Sequence, residues 1–297
     1  MPAVQPLSIG MPVRNGARFL PAALDSLLEQ TYGDFELFIA DNCSTDETLE
    51  IVRDYAARDP RVRYHVHERD IGAAANFNYV FRATRAPLYK WAAGDDLQDK
   101  TFLARCVDVH AQESGIAAVS SMIEHIDEEG RSLGIEQDLT AVWSPDPVER
   151  FADYIRYDYS CAVNFGVQSR AHIARTRLLL PFWGSDRVFL AELALYGRTV
   201  VLDEPLFQER EHTGKLSTRV AKRDVKGFHR AGYGSRFLTW RHALELVRAI
   251  QRSDLTDDQR RRAFAALRSW AVEHRAKFGR SLLRGMAETA TAPLAAR

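Results

Sequence analysis

The 297-residue sequence predicts an α/β fold, a mostly parallel sheet flanked by helices, with a helical extension at its C-terminal end. Three observations carry that expectation. Short apolar runs alternate with amphipathic stretches, the pattern of right-handed βαβ crossovers. Polar clusters follow four of the runs: Arg14-Asn15-Gly16, Asp41-Asn42, Arg69-Asp70-Ile71-Gly72 and Gly94-Asp95-Asp96. Ligands bind beyond the carboxyl ends of parallel strands, so four such clusters on one edge predict a site. From Val225 to about Glu288 the pattern is helical, with a break near Ser253–Thr256.

Each element has its own signal. "LSIGMPV" (7–13) is an apolar run ending near a proline and reads as a buried strand. In "ARFLPAALDSLLEQ" the apolar residues Phe19, Leu20, Ala23, Leu24, Leu27 and Leu28 recur at helical spacing. "FELFIADN" (35–42) is the next strand, and "STDETLEIVRDYAAR" opens a helix with Ser44 or Thr45 as its cap. "RVRYHVH" (61–67) reads as a strand, "AAANFNYVFRATR" as a helix and "PLYKWAA" (87–93) as a strand. A helix over Lys100–Gln112 and the strand "IAAVSSMIEHI" follow. Beyond residue 130 the sequence predicts a helix in "SPDPVERFADYIRY", a short strand in "NFGVQSR" and a helix capped by Ser185 in "SDRVFLAELALYG". "RTVVLDEPLFQEREHTG" reads as two short strands joined by a turn at Glu204-Pro205.

Composition bounds the function classes. With 46% hydrophobic and 27% charged residues, this is the make-up of a globular chain able to bury a large core. No window approaches the 18 or so apolar residues of a membrane span, and no secretory signal pattern opens the sequence. The three cysteines, Cys43, Cys106 and Cys161, form neither a disulfide framework nor a zinc spacing, so a cytoplasmic location is expected. From Leu206 onward there are 20 Lys+Arg against 9 Asp+Glu; subtracting from the totals of 40 and 40 leaves 20 against 31 for residues 1–205. The basic C-terminal part has three readings: contact with an anionic membrane face, packing on the catalytic part, or pairing of two chains. No nucleic-acid partner is expected.

Several chemistries are disfavoured by missing motifs. The sequence has no G-x-G-x-x-G after the first strand, no G-x-x-x-x-G-K-[ST] and no G-x-S-x-G. Adjacent carboxylates at Asp95 and Asp96 repel, which points to a purpose beyond a turn, with a solvated turn as the plain alternative.

"SIGMPVRNGARFLPAALDSLLEQTYGDFELFIADNCSTDETLEIV" and "RDIGAAANFNYVFRATRAPLYKWAAGDD" resemble the family 2 glycosyltransferases, nucleotide-sugar enzymes of the GT-A type with a Rossmann-like sheet. The resemblance covers residues 7–115 and extends to residue 218 through "GSDRVFLAELALYG" and "FQEREHTGKLS". It implies a catalytic domain over 1–218, with a nucleotide-binding half (1–115) and an acceptor-side half (116–218), and a basic helical region over 219–297.

The same resemblance implies roles. Pro12, Val13, Arg14 and Asn15 would line the base and ribose, with Asp41 and Asn42 beside them. Asp41 would accept from the base N–H, the alternative being a cap on the following helix. Asp70, Gly72 and Asn76 would form the next wall. Gly94-Asp95-Asp96 falls on the Asp-any-Asp metal motif, with its first acidic position missing. Asp95 would contact ribose or support the metal, and Asp96 and His212 would bind Mn²⁺ or Mg²⁺. Asp186 would be the base that activates the acceptor, while Glu192 is expected on the surface. Arg210 and Lys215 are candidates for the diphosphate. The implied reaction is metal-dependent, inverting transfer of a sugar from a UDP- or dTDP-linked donor to a glycan or lipid-linked acceptor in polysaccharide or glycoconjugate synthesis. A nucleotidyltransferase would need a glycine-rich loop after the first strand. A non-catalytic binding member would have lost the carboxylates that this sequence keeps.

Overall fold

The computed structural model describes residues 6–136, 143–156, 161–213 and 237–290. The first half runs β1 (Leu7–Val13), α1 (Leu20–Leu28), β2 (Phe35–Asp41), α2 (Thr48–Arg58), β3 (Val62–Val66), α3 (Ala73–Arg82) and β4 (Leu88–Trp91). The second runs β5 (Leu97–Gln98), α4 (Phe102–Gln112), β6 (Ile116–Ile126), β7 (Ser132–Glu136), α5 (Pro147–Arg156), a 3-10 turn at Cys161–Phe165, β8 (Val167–Ser169), α6 (Arg170–Ile173), α7 (Ser185–Ala194) and β9 (Arg198–Arg210). Among the described residues three C-terminal helices follow: α8 (Leu238–Arg252), α9 (Asp257–Glu273) and α10 (Arg275–Ala290).

The strands form one sheet in the order β3-β2-β1-β4-β8-β6-β9-β5, with β7 paired to β6. β1 lies between β2 and β4, and all these pairings are parallel, as is β2 with β3. Their carboxyl ends therefore share one edge. The second half is mixed: β6 with β9 is parallel, whereas β4–β8, β6–β8, β6–β7 and β5–β9 are antiparallel. Central strands buried on both faces read as continuous apolar runs, which is why β1 shows no alternation. Side chains alternate across the sheet, so Leu37 and Ile39 join the core beneath α1 and α4, while Phe38 and Ala40 join the opposite core with Trp91 and Phe189. At Gly10 a Cβ would stand 2.0 Å from the Tyr89 hydroxyl, so only glycine lets that ring lie against β1.

Several local expectations change. Ser44 and Thr45 do not cap α2; Glu47 is its N-cap residue, and the two hydroxyl residues belong to the loop before it. Ser185 is the first helical residue of α7, and Gly184 caps it at φ +77. β9 is one strand of 13 residues rather than two. Its partners on β6 jump from Ser121↔Leu202 to Ile123↔Phe207, so residues 203–206 bulge where a turn was expected. Pro205, which has no N–H to donate, sits in that bulge. Glu192 is buried (2% exposed) rather than superficial, because α7 is covered by the C-terminal helices.

Those helices are built into the core. Leu246, Ala249 and Ile250 of α8 and Ala263 and Leu267 of α9 are buried in the same cluster as Phe189 of α7. Arg262 of α9 pairs with Asp146 at 2.5 Å. Arg177 pairs with Glu245 of α8, and Arg252 of α8 with Glu192. The break between α8 and α9 falls where the sequence places it, and Thr256 and Gln259 close it as a capping box. The predicted helical start at 225–236 lies outside the described residues. α10 packs through Phe278 on Trp240 and Trp270, with ring centroids 5.0 and 5.6 Å apart.

Candidate active site

The loop after β1 and the loop after β2 are laced together. Asn15 adopts φ +50, donates its N–H to the Ser44 hydroxyl at 2.9 Å and accepts the Thr45 N–H on Oδ1 at 2.8 Å. Gly16 and Ala17 donate to Thr48 Oγ1 and Asp46 Oδ2. The Asp41 carboxylate, 1% exposed, accepts the Ser44 N–H at 3.2 Å and the Ser44 hydroxyl, so the turn itself occupies it. Asn42 donates to Asp70 Oδ1 at 2.8 Å and accepts the Ile71 N–H at 2.9 Å. Asp70 also accepts the Gly72 N–H at 2.8 Å and lies 3.6 Å from Arg14.

Gly72 takes φ +85 to start α3, a conformation that favours glycine. Asn76 lies deeper, bonded to the Ala40 carbonyl at 2.9 Å and to His67 at 3.0 Å. The edge thus brings Arg14, Asn15, Asp41, Asn42, Asp70 and Gly72 together at the ends of Pro12-Val13 and β2. Asn76 serves the layer beneath.

Short strand β5 pairs with β9 through Leu97↔Gln208 and Gln98↔Phe207, which aims Asp95 and Asp96 at the end of β9. Asp96, 6% exposed, accepts the Arg210 N–H at 3.0 Å. The Arg210 side chain is buried too, and donates to the carbonyls of Asp95, Asp127 and Glu128 at 2.9–3.0 Å. Arg210 is therefore a latch between the carboxylate loop and the β6–β7 hairpin, its guanidinium donating to backbone carbonyls on both. Lys215 lies outside the described residues. His212 Nε2 stands 3.0 Å from Asp95 Oδ2, with Phe19 packed at 4.8 Å on the ring. The sequence places Asp96 with His212, whereas the structure places Asp95 there and leaves its side chain 30% exposed.

Lys90 is fully buried on β4 and was missed by sequence reasoning. It donates to the Trp91 carbonyl at 3.3 Å and to Phe165, between the rings of Phe102 and Phe207. Burial pushes its pKa down to about 7, against the pull of Asp96. A lysine inside the run "LYKW" was the available signal.

Asp186 stands half-buried in the first turn of α7 and accepts the Arg187 N–H at 2.9 Å. Cys161 lies between α7 and β9: burial, then the Asp186 charge, then that of Glu209 among smaller causes push its thiol pKa up. No hydrogen bond joins Asp186 to Asp95 or His212 among the described residues.

Alternate residues at the end of β9 face opposite ways. The side chains of Gln208, Arg210 and His212 reach the Glu124 carboxylate, the Asp95 carbonyl and the Asp95 carboxylate. Glu209 and Glu211 reach His125 of β6, each 3.7 Å from its Nδ1, while Glu136 of β7 meets Nε2 at 3.0 Å. That second row was not read from the sequence, because strands β6, β7 and β9 assemble it from distant segments.

Comparison with known proteins bears on this geometry. The model of "Glycosyl transferase family 2" matches residues 8–175, more than half of the chain. Chondroitin synthase of Escherichia coli is 30% identical over 127 residues, 43% of this chain and 18% of that protein. A PGL/p-HBAD biosynthesis glycosyltransferase of Mycobacterium bovis is 42% identical over 100 residues, 33% of this chain and 39% of that protein. The matches thus span well under half of these relatives' length. Among solved structures, S. aureus TarS 1-349 superposes with TM-score 0.68 at 18% identity, covering 95% of this chain and 76% of that one. The same TarS fragment in complex with UDP-GlcNAc gives 0.65 at 18% identity, over 90% and 72% of the two chains. A mannosyltransferase of Pyrobaculum calidifontis in complex with GDP-Man and Mn²⁺ gives 0.55 at 16% identity, over 99% and 77%. These likenesses show a GT-A type fold, and the family match over more than half of the sequence shows the family: the chain belongs to the glycosyl transferase family 2.

Proposed function

We propose that the chain transfers a sugar from a nucleoside-diphosphate donor, UDP- or dTDP-linked, to an acceptor hydroxyl with inversion. The observation that carries this reading is the Asp95–His212 pair, 3.0 Å apart on the sheet edge where the β1 and β2 loops also end. Arg14, Asn15, Asp70 and Gly72 border the nucleotide there, and Pro12 and Val13 lead into the loop. The donor set, one carboxylate oxygen and one imidazole nitrogen with partial exposure, suits Mn²⁺ better than Mg²⁺, which takes oxygen ligands. Asp95 and His212 would hold the ion, which would neutralise charge on the diphosphate. Asp96, read from the sequence as the metal ligand, here holds their loop in place through the Arg210 N–H.

Asp186 acts on the acceptor. As the acceptor oxygen attacks the anomeric carbon, its proton passes to the Asp186 carboxylate. The bond from that carbon to the β-phosphate oxygen breaks, its electron pair leaving with the nucleoside diphosphate. One bond forms and one breaks on opposite faces of the sugar, which gives inversion. The acceptor is a glycan or a lipid-linked glycan, and the catalytic unit comprises residues to 218 with the C-terminal helices seated on it.

A peripheral contact with an anionic membrane is favoured by α10. Its exposed side carries Leu282, Leu283 and Met286 beside Arg275, Lys277 and Arg280, the make-up of a helix lying in a lipid interface. No described helix is long and apolar enough to cross a membrane. Four basic residues and one acidic residue in α10 disfavour a dimer through two copies of this face.

The decisive experiment is a panel of UDP-, dTDP- and GDP-sugars scored for metal-dependent release of nucleoside diphosphate, with Asp95→Ala as control. Failure to bind any nucleoside diphosphate in the presence of Mn²⁺ overturns the reading.

A further inference from the structure

We infer that His242, on helix α8, is a positioning residue for Asp186: it fixes the segment that leads into the first turn of α7, from which the Asp186 carboxylate projects. The inference rests on the reading of Asp186 as the base. It also assigns a task to a segment outside the family match, which ends at residue 175.

The contact is direct. His242 Nε2 lies 2.8 Å from the carbonyl oxygen of Trp183, and a carbonyl only accepts, so Nε2 carries the proton. The imidazole packs on Phe182 with centroids 5.2 Å apart, and the Arg241 guanidinium lies 4.8 Å over the same Phe182 ring. Between Trp183 and α7 stands Gly184, at φ +77. A Cβ there would come within 2.8 Å of His242 Nε2. Glycine at 184 thus meets two demands at once, the left-handed turn and the close approach of the imidazole. Two residues later comes Asp186.

The same helix grips α7 a second time. Glu192 is 2% exposed, accepts the Arg177 N–H at 3.1 Å and pairs with Arg252 of α8. α7 is therefore clamped by α8 both just before its base-bearing end and at Glu192, six residues beyond Asp186. A carboxylate that must meet an acceptor oxygen within hydrogen-bond reach gains from such a brace, since small misplacements of a base cost large factors in rate. The imidazole itself stays neutral near pH 7, because burial holds its pKa below the ordinary value despite the Asp186 charge, and a neutral ring suits a structural donor.

The test compares His242→Ala, His242→Gln and Gly184→Ala with the wild-type chain. Hydrogen exchange followed by mass spectrometry reads the peptide spanning 182–190. The expectation is exchange at least tenfold faster in H242A and G184A, near-normal exchange in H242Q, whose side-chain amide also reaches a carbonyl, and no change around 95–112. Release of UDP from UDP-GlcNAc, or of GDP from GDP-mannose, with Mn²⁺ gives the kinetic arm. There kcat falls about 10- to 100-fold in H242A with the donor KM unchanged, H242Q recovers most of it, and H242A adds nothing to Asp186→Asn. Unchanged exchange in H242A overturns the inference whatever the donor. So does faster exchange with wild-type kcat, or a loss of kcat that H242Q fails to rescue. An active Asp186→Asn enzyme overturns instead the assignment of the base, and is distinguishable because the exchange result stands by itself.

Discussion

The Asp95 carboxylate meets the His212 imidazole at 3.0 Å, although 117 residues separate them. β5 delivers the first and β9 the second. Removing either ligand weakens the hold on a divalent ion. His212→Ala and Asp95→Asn are each expected to reduce Mn²⁺-dependent binding of UDP or GDP about 10- to 100-fold. Isothermal titration with and without Mn²⁺ checks this, and equal affinity with and without the ion in wild type would contradict it.

Asp186→Asn keeps the shape of the α7 N-terminus and its hydrogen bond to the Arg187 N–H while removing the base. The expected result is a fall in kcat of about 10²- to 10⁴-fold with little change in donor affinity. Steady-state kinetics alongside donor titration separates that outcome from a general loss of folding.

Lys90 makes stability depend on pH. Its folded pKa of about 7 lies below the ordinary 10.5, so between those values the unfolded chain binds the extra proton. Stability from this group therefore rises as pH goes up through 7. Urea unfolding of wild type between about pH 7 and 8.5 should show a positive slope of up to about 1.4 kcal/mol per pH unit from this residue. Lys90→Met should flatten that slope, and an identical slope in the variant would refute the assignment.

The exposed face of α10 should bring the chain to anionic bilayers. Co-sedimentation with vesicles of phosphatidylglycerol and phosphatidylcholine at low salt should exceed that with phosphatidylcholine alone, and should fall at high salt. Leu283→Glu with Met286→Glu, both well exposed at 69% and 58%, should abolish it without lowering Tm. Equal sedimentation of wild type and variant would exclude this face.

The parallel half of the fold was legible because each strand is a local apolar run and each helix a local periodicity. β1 to β4, α1 to α4 and their common edge follow from segments shorter than about a dozen residues. The second half was less legible, because β5 and β7 are defined by their partners. The two residues of β5 carry no pattern of their own and exist by pairing with β9. Glu192 misled for a related reason: its surroundings come from α8, some 60 residues later. Within the site, residue types were readable and partners were not. Asp95 and Asp96 are neighbours of one residue type, and the antiparallel register of β5 on β9 decides which one meets His212.

The bulge at 203–206 sets the phase of everything that follows on β9. Because side chains alternate, the number of residues in that bulge decides which row meets which wall. Adding or removing one residue there would turn Glu209 and Glu211 toward Asp95 and Asp96, and send Arg210 and His212 to His125. Carboxylates would then face carboxylates, and the Arg210 guanidinium would face an imidazole. Adding or removing two would restore the rows at the cost of a step along the strand. The length of this segment is thus constrained by parity rather than by size, so natural variants should differ there by even numbers of residues.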